Sequence, residues 1–220
     1  MNEMNFEIAR HNMVEQQIRP WNVLDQQSLA ILLDIPREEF VPEEFKNLAF
    51  SDMQIPLAHG QFMLEPKIEA QILQAVQIKD SDHVFEVGTG SGFLTAVLAK
   101  KAKHITSIEI HSELAELARK NLEPYHFTNV RLETGDGIND YASSHHFDVI
   151  ICSGALKQIP EKYKEMLNAG GRMFVVTGSD SAMEARLITR VSKDQWSDVV
   201  LFETEIDYLI NEKCEQPFVF

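Results

Sequence analysis

The residues best suited to chemistry stand together at Phe85-Glu86-Val87-Gly88-Thr89-Gly90-Ser91-Gly92-Phe93. Alternating glycines let the backbone turn tightly and approach a ligand closely, and a helix opening behind them offers unpaired N–H groups. A dinucleotide fingerprint would need glycine at position 93, where this chain has Phe93. About twenty positions beyond Gly88, Glu109 precedes Ile110 at the end of a second apolar run, where a carboxylate can accept hydrogen bonds from both hydroxyls of a ribose. Gly135-Asp136-Gly137 follows a third run. An Asp between glycines can turn its carboxylate onto an adenine amino group, with backbone N–H groups on the ring nitrogens. Ser153, past a fourth run, can line the same pocket. Three such elements in order define a nucleoside-binding crevice at the carboxyl ends of strands.

The elements that must hold these residues can be read from periodicity. Up to about residue 78 the chain reads as helices and loops: a helix over Phe6 to Ile18 stopping at Arg19-Pro20, a second from Asp25 to Leu33, and a third from Pro66 to Val76 with Ile68, Ile72, Leu73 and Val76 on one face. From His83 strands alternate with helices. Strands are expected at His83 to Val87, His104 to Ile110, Val130 to Glu133, Phe147 to Cys152 and Arg172 to Thr177. The helix after the glycine loop should face inward with Phe93, Leu94, Val97 and Leu98. Ser112 should cap the next helix, with Leu114, Leu117 and Ala118 toward the sheet. A further helix is expected from Pro160 to Gly170-Gly171, and an antiparallel pair, Ala185 to Val191 and Trp196 to Glu203, should finish the sheet. The reading is one α/β domain over residues 1–220: a Rossmann-like, mostly parallel sheet with antiparallel C-terminal strands (79–220) under an N-terminal helical cover (1–78).

Composition narrows the function. A net charge of −14 with no basic patch argues against a nucleic-acid partner, because phosphate-backbone binding depends on Lys and Arg. No apolar run is long enough for a membrane span, and Glu3 and Glu7 stand where a signal peptide would carry basic residues, so a cytoplasmic location is expected. Cys152 and Cys214 read as free thiols, and no histidine pair has the spacing of a metal site.

The spacing of the glycine loop, with an acidic residue two places before its first glycine, resembles the S-adenosylmethionine loop of class I methyltransferases. More specifically, Val41-Pro42-Glu43-Glu44-Phe45, Ile55-Pro56-Leu57-Ala58-His59-Gly60-Gln61, Pro66, the glycine loop, Ser107-Ile108-Glu109-Ile110 and Asn168-Ala169-Gly170-Gly171-Arg172 resemble the protein-L-isoaspartate O-methyltransferases. The resemblance spans roughly residues 10 to 180. It implies S-adenosylmethionine as cofactor, S-adenosylhomocysteine as product, and carboxyl methylation of isoaspartyl residues in damaged proteins. It assigns the cofactor to Glu86, Gly88, Thr89, Gly90, Ser91, Glu109, Ile110, Asp136, Gly137 and Ser153.

It also places the methyl acceptor against residues 59 to 66, namely His59, Gln61, Leu64 and Glu65. Here the chain departs from the family, which carries Ser or Thr two residues before the proline; this chain has Leu64. Val176-Thr177-Gly178 likewise replaces a Pro-Val-Gly turn. Leu cannot hydrogen-bond, but a carboxylate is already an ionised nucleophile and a sulfonium an activated leaving group, so alignment remains the main task. Leu64 also suits a more apolar acceptor. His59 is the candidate base for an alcohol, phenol or amine, and Glu65 the residue that would repel a carboxylate unless it turns away or serves the helix dipole. Three readings stay open: isoaspartyl methylation, methylation of another acceptor such as a small carboxylic acid, and a module that binds the cofactor without turnover. Oligomeric state is not specified by the sequence.

Overall fold

The computed structural model describes residues 5–141, 145–179 and 182–211. In chain order the elements are α1 (Phe6–Asn12), α2 (Gln26–Asp34), β1 (Ile55–Pro56), β2 (Phe62–Met63), α3 (Pro66–Val76), β3 (His83–Val87), α4 (Phe93–Ala99), β4 (His104–Glu109), α5 (Ser112–Leu122), β5 (Val130–Thr134), β6 (Phe147–Leu156), α6 (Glu161–Glu165), β7 (Leu167–Ser179), β8 (Ala182–Ser192) and β9 (Gln195–Glu203). Seven strands form one sheet in the order β5-β4-β3-β6-β7-β8-β9. The first five are parallel, and β8 and β9 run antiparallel beside β7.

Parallel strands need a covering layer on both faces, and the side chains divide accordingly. Val84 and Ile105 join the core beneath α3 and α4, whereas Phe85, Val87 and Ile108 join a second core with Phe147 and Tyr163. Every residue of α4 is buried. α3 puts Ile68, Ile72, Leu73 and Val76 inside, as its periodicity predicts, and Asp25 caps α2 by accepting the Ser28 N–H at 2.8 Å.

Several boundaries differ from the expectation, each for a local reason. The first helix continues as a π-turn over Met13–Ile18, and Pro20 does not stop it. A 3₁₀ turn, Arg19–Trp21, accommodates the proline near its start, where an N–H is not needed, and the chain leaves at Asn22 with φ 63°. Ser112 is the first residue of α5 rather than its cap; the extended residue before it is His111, without a side-chain capping bond. Leu117 is only half-buried, while Leu114, Ala115, Ala118 and Leu122 face the sheet. β6 runs on to Leu156, four residues past Cys152. The helix after Pro160 ends at Glu165, because Gly170-Gly171 serves a bulge in β7. The pairing with β6 jumps there from Phe147↔Leu167 to Val149↔Arg172. No helix among the described residues is long and apolar enough to cross a membrane. Cys214 lies outside the described residues.

Candidate active site

The carboxyl ends of β3, β4 and β6 open on one crevice, floored by Gly88, Gly90, Glu109, Ser153 and Gly154. Gln61, Phe62 and Leu64 form one wall, and the C-terminal segment Ile206 to Leu209 the other. As it stands the crevice encloses about 60 Å³.

The glycine loop is shaped by positive φ at Gly88, Gly90 and Gly92. Gly88 at φ 95° and Gly92 at φ 85°, where an added Cβ would press on Ala118 at 3.2 Å, need this most clearly. The Gly90 N–H donates to Glu109 Oε2 at 2.9 Å, tying the loop to the next strand. The other oxygen of Glu109 accepts the His111 N–H at 3.1 Å. A carboxylate has about four lone-pair sites, so Glu109 keeps acceptor capacity for two hydroxyls. Thr89 and Ser91 are buried and brace the loop. Thr89 Oγ1 lies 2.7 Å from Ser107 Oγ, and Ser91 C=O accepts the Asn121 amide at 2.9 Å.

Glu86 is fully buried beneath the loop and is not part of the crevice wall. Its Oε2 accepts the Thr95 hydroxyl at 2.5 Å, while Oε1 has no partner. Burial pushes its carboxyl up to about 7, against the hydrogen bonds of Thr95 and Ser107 and with the charges of Glu109 and Glu69 adding to the rise. Ser153 Oγ is likewise buried without a partner, beside Gly88. Burial also pushes the neighbouring Cys152 thiol up to about 12, which removes it as a nucleophile.

Asp136 sits outside the crevice wall, with its carboxylate engaged four times. Oδ1 accepts the Ile138 and Asn139 N–H groups, and Oδ2 accepts the Asn139 and Asn211 amides at 3.0 and 3.1 Å. Burial raises its pKa, but these hydrogen bonds outweigh it and hold the carboxyl below its ordinary value. Gly137 could be nothing larger: a Cβ there would meet Val87 Cγ1 at 2.8 Å and Ile108 Cγ2 at 2.9 Å. Ile110 is half-buried and off the wall.

Of the acceptor-side residues, Gln61 and Leu64 reach the crevice and His59 and Glu65 do not. His59 is exposed at the outer rim, stacked on His111 with ring centroids 4.3 Å apart and paired with Glu113 at 2.6 Å. Glu65 stands at the N-terminal boundary of α3 without a side-chain capping bond and pairs instead with Lys67 at 2.7 Å.

Two features escaped the sequence reading. Fully buried Arg37 donates to the Ala49 and Leu64 carbonyls at 2.9 and 2.7 Å and pairs with buried Glu69, so it anchors the acceptor wall from behind. Residues 206–211 strap the crevice: Ala155 N–H donates to Asp207 C=O, Leu209 N–H to Ala155 C=O, and Leu209 packs on Gly88 and Gly154. Only Gly154, where a Cβ would lie 2.9 Å from Leu209 Cδ2, signals the strap in the sequence.

A glycine loop leaving the first strand of a mostly parallel sheet, an acid at the end of the second, and an antiparallel strand pair at the edge define a class I methyltransferase. A family model described as protein-L-isoaspartate(D-aspartate) O-methyltransferase matches residues 9–209. The chain belongs to that family of S-adenosylmethionine-dependent O-methyltransferases. It is 39% identical to a Koribacter versatilis protein-L-isoaspartate O-methyltransferase over 79% of this chain and 78% of that one. A Petrotoga mobilis enzyme of the same name is 33% identical over 90% and 96%. The fold of the present chain matches the crystal structure of a Plasmodium falciparum protein assigned to the same enzymes and solved with S-adenosyl-L-homocysteine, with a TM-score of 0.80 over 94% and 99% of the two chains at 18% identity.

Proposed function

We propose that the crevice binds S-adenosylmethionine and that the chain methylates the carboxylate of isoaspartyl residues in damaged polypeptides. The observation that carries this reading is the meeting of Gly88, Gly90 and Glu109 with Gln61 and Leu64 in one crevice. The residues suit the cofactor chemically: Glu109 has acceptor capacity for the ribose hydroxyls, and Ser153 Oγ is a buried polar atom without a partner. When bound, the cofactor supplies an activated methyl group on a sulfonium. Gly88 and Gly90 would hold its methionine end and Glu109 its ribose. Asp136 would meet its adenine only on giving up one of the four hydrogen bonds that now fill its carboxylate, such as that from Asn211, with the Gly137 backbone beside it and Thr89, Ser91 and Ile110 supporting the loop. Buried Glu86 would place a carboxyl beneath a cationic ligand.

The chain's own work is alignment. Gln61 and Leu64 set the acceptor against the methyl donor, and Arg37 fixes the Leu64 backbone. Water exclusion falls to Leu64, Phe62 and the 206–209 strap, and holding two reactants in register is worth several kcal/mol, about 7–11 in well-oriented intramolecular models. A carboxylate nucleophile needs no proton removed, which agrees with His59 being engaged by Glu113 outside the wall. Residues 1–78 would then act as the acceptor-side cover of a single domain.

Glu109→Gln tests the cofactor half. Loss of charge-assisted hydrogen bonds worth about 1.5–3 kcal/mol each should weaken S-adenosylhomocysteine binding at least about tenfold by calorimetry. Unchanged affinity would remove the crevice from consideration.

A further inference from the structure

Two stacked rings at the rim of the crevice join its acceptor side to its cofactor side. His59 lies in the acceptor-side turn Ala58–Gly60, and His111 follows the end of β4 that carries Glu109. Their ring centroids are 4.3 Å apart and the planes are inclined by only 5°. The turn is closed on itself. Leu57 N–H donates to Gln61 C=O at 2.7 Å, and Gln61 N–H to Ala58 C=O at 3.2 Å. The Gln61 side-chain amide donates to His59 C=O at 3.3 Å, which ties the crevice wall at Gln61 to His59. On the other side, the His111 N–H donates to Glu109 Oε1 at 3.1 Å. The contacts are therefore continuous from the acceptor wall to the carboxylate assigned to the ribose.

The stack is the contact that holds this path together. His59 sits at φ 59° and ψ 24°, in the left-handed region that a side chain enters at a cost. Such strain persists only where the surrounding contacts impose it. His111 Nε2 is buried without a hydrogen-bond partner, so packing places that ring. The ion pair of His59 with Glu113 adds little, because the Glu113 side chain is 75% exposed and exposed pairs are weak. Leu57, at the start of the turn, lies beside Gly90 and gives the turn one apolar foothold on the core. The ring stack gives it the second.

We propose that His59 is a positioning residue, whose stack on His111 clamps the acceptor-side turn, and Gln61 with it, to the ribose end of the crevice. It sets where the acceptor lies and leaves the cofactor's own contacts intact. The clamp deepens the acceptor reading and rests on it only for the ligand that Gln61 meets.

The test compares the full chain with its variants in two measurements. One is amide hydrogen exchange at Leu57 and Gln61; the other is methyl transfer to an isoaspartyl peptide, with S-adenosylhomocysteine affinity measured alongside. His59→Asn removes the ring but suits left-handed backbone, so its fold should be at least as stable as the wild type. Exchange at both amides should nevertheless speed up by about tenfold. The peptide KM should rise about fivefold, with kcat and S-adenosylhomocysteine affinity within about twofold. His111→Ala keeps its main-chain N–H and should do the same, and the double variant should be no worse than either single, as for two ends of one contact. His59→Phe retains a stacking ring and should keep the wild-type KM, as should Glu113→Gln. Unchanged exchange in His59→Asn overturns the proposal. So do additive effects in the double variant, a His59→Phe or Glu113→Gln chain as impaired as His59→Asn, or a loss of S-adenosylhomocysteine affinity matching the rise in KM. Wild-type protein that transfers no methyl to the peptide would instead overturn the acceptor reading, and exchange at Leu57 and Gln61 would still decide the clamp.

Discussion

Glu86 is a buried carboxyl whose strain against ionisation has a sign. Burial raises its folded-state pKa from 4.5 to about 7, so between those values the folded chain holds a proton that the unfolded chain has released. Stability contributed by this group is present below pH 4.5 and is lost as pH rises through about 7, at a slope of up to about 1.4 kcal/mol per pH unit. Glu86→Gln should flatten that fall in denaturant midpoints measured from pH 5 to 8, and an identical slope in the variant would refute the assignment. Leu64 is the residue we propose as selecting the acceptor. It is 8% exposed, lines the crevice and gives its carbonyl to Arg37. Leu64→Ser should cost about 2–5 kcal/mol of stability through the lost packing. If the acceptor is a carboxylate, the new hydroxyl should raise the rate on an isoaspartyl peptide by roughly tenfold, the worth of one charge-assisted hydrogen bond. A fall in rate beyond what the lost stability explains would say that the acceptor side is built for an apolar group.

At the scale of elements, we propose that the strap is the part that moves. A crevice of about 60 Å³ is small beside the roughly 300–1,000 Å³ of small-molecule sites, and residues 206–209 form the wall whose displacement would widen it. Asn211 holds the strap on Asp136 at 3.1 Å and, through its carbonyl, on the Asn139 amide at 3.0 Å. Asn211→Ala should therefore favour the open form and tighten S-adenosylhomocysteine binding by about two- to fivefold in titration calorimetry. Weaker binding would mean that Asn211 belongs to the grip on the ligand. The strap was also the part hardest to read from sequence. The glycine loop, α3 and β3 are local signals, complete within a dozen residues, and the structure reproduces their limits. The strap has no periodicity, and its partners Ala155 and Asp136 stand some fifty to seventy-five residues away. Arg37 escaped for the same reason, its partner Glu69 being 32 residues on. Gly170-Gly171 misled because glycine ends a helix and opens a bulge by the same left-handed backbone, and the sequence does not say which.

At the scale of the whole molecule, family, fold and crevice converge on methyl transfer, and the acceptor is the point on which the account stands or falls. The segment before α3 supplies Leu64, Gln61 and Arg37, the glycine loop and β4 supply Gly88, Gly90 and Glu109, and residues 206–209 form the facing wall. That arrangement leaves Phe62, 43% exposed, at the mouth of the crevice, where a polypeptide acceptor would approach. The most direct measurement is transfer of labelled methyl from S-adenosylmethionine to an isoaspartyl peptide, beside its aspartyl twin, with released S-adenosylhomocysteine quantified in the same reactions. The account predicts methylation of the isoaspartyl peptide alone, with stoichiometric S-adenosylhomocysteine. Tight cofactor binding without transfer to that peptide would contradict it.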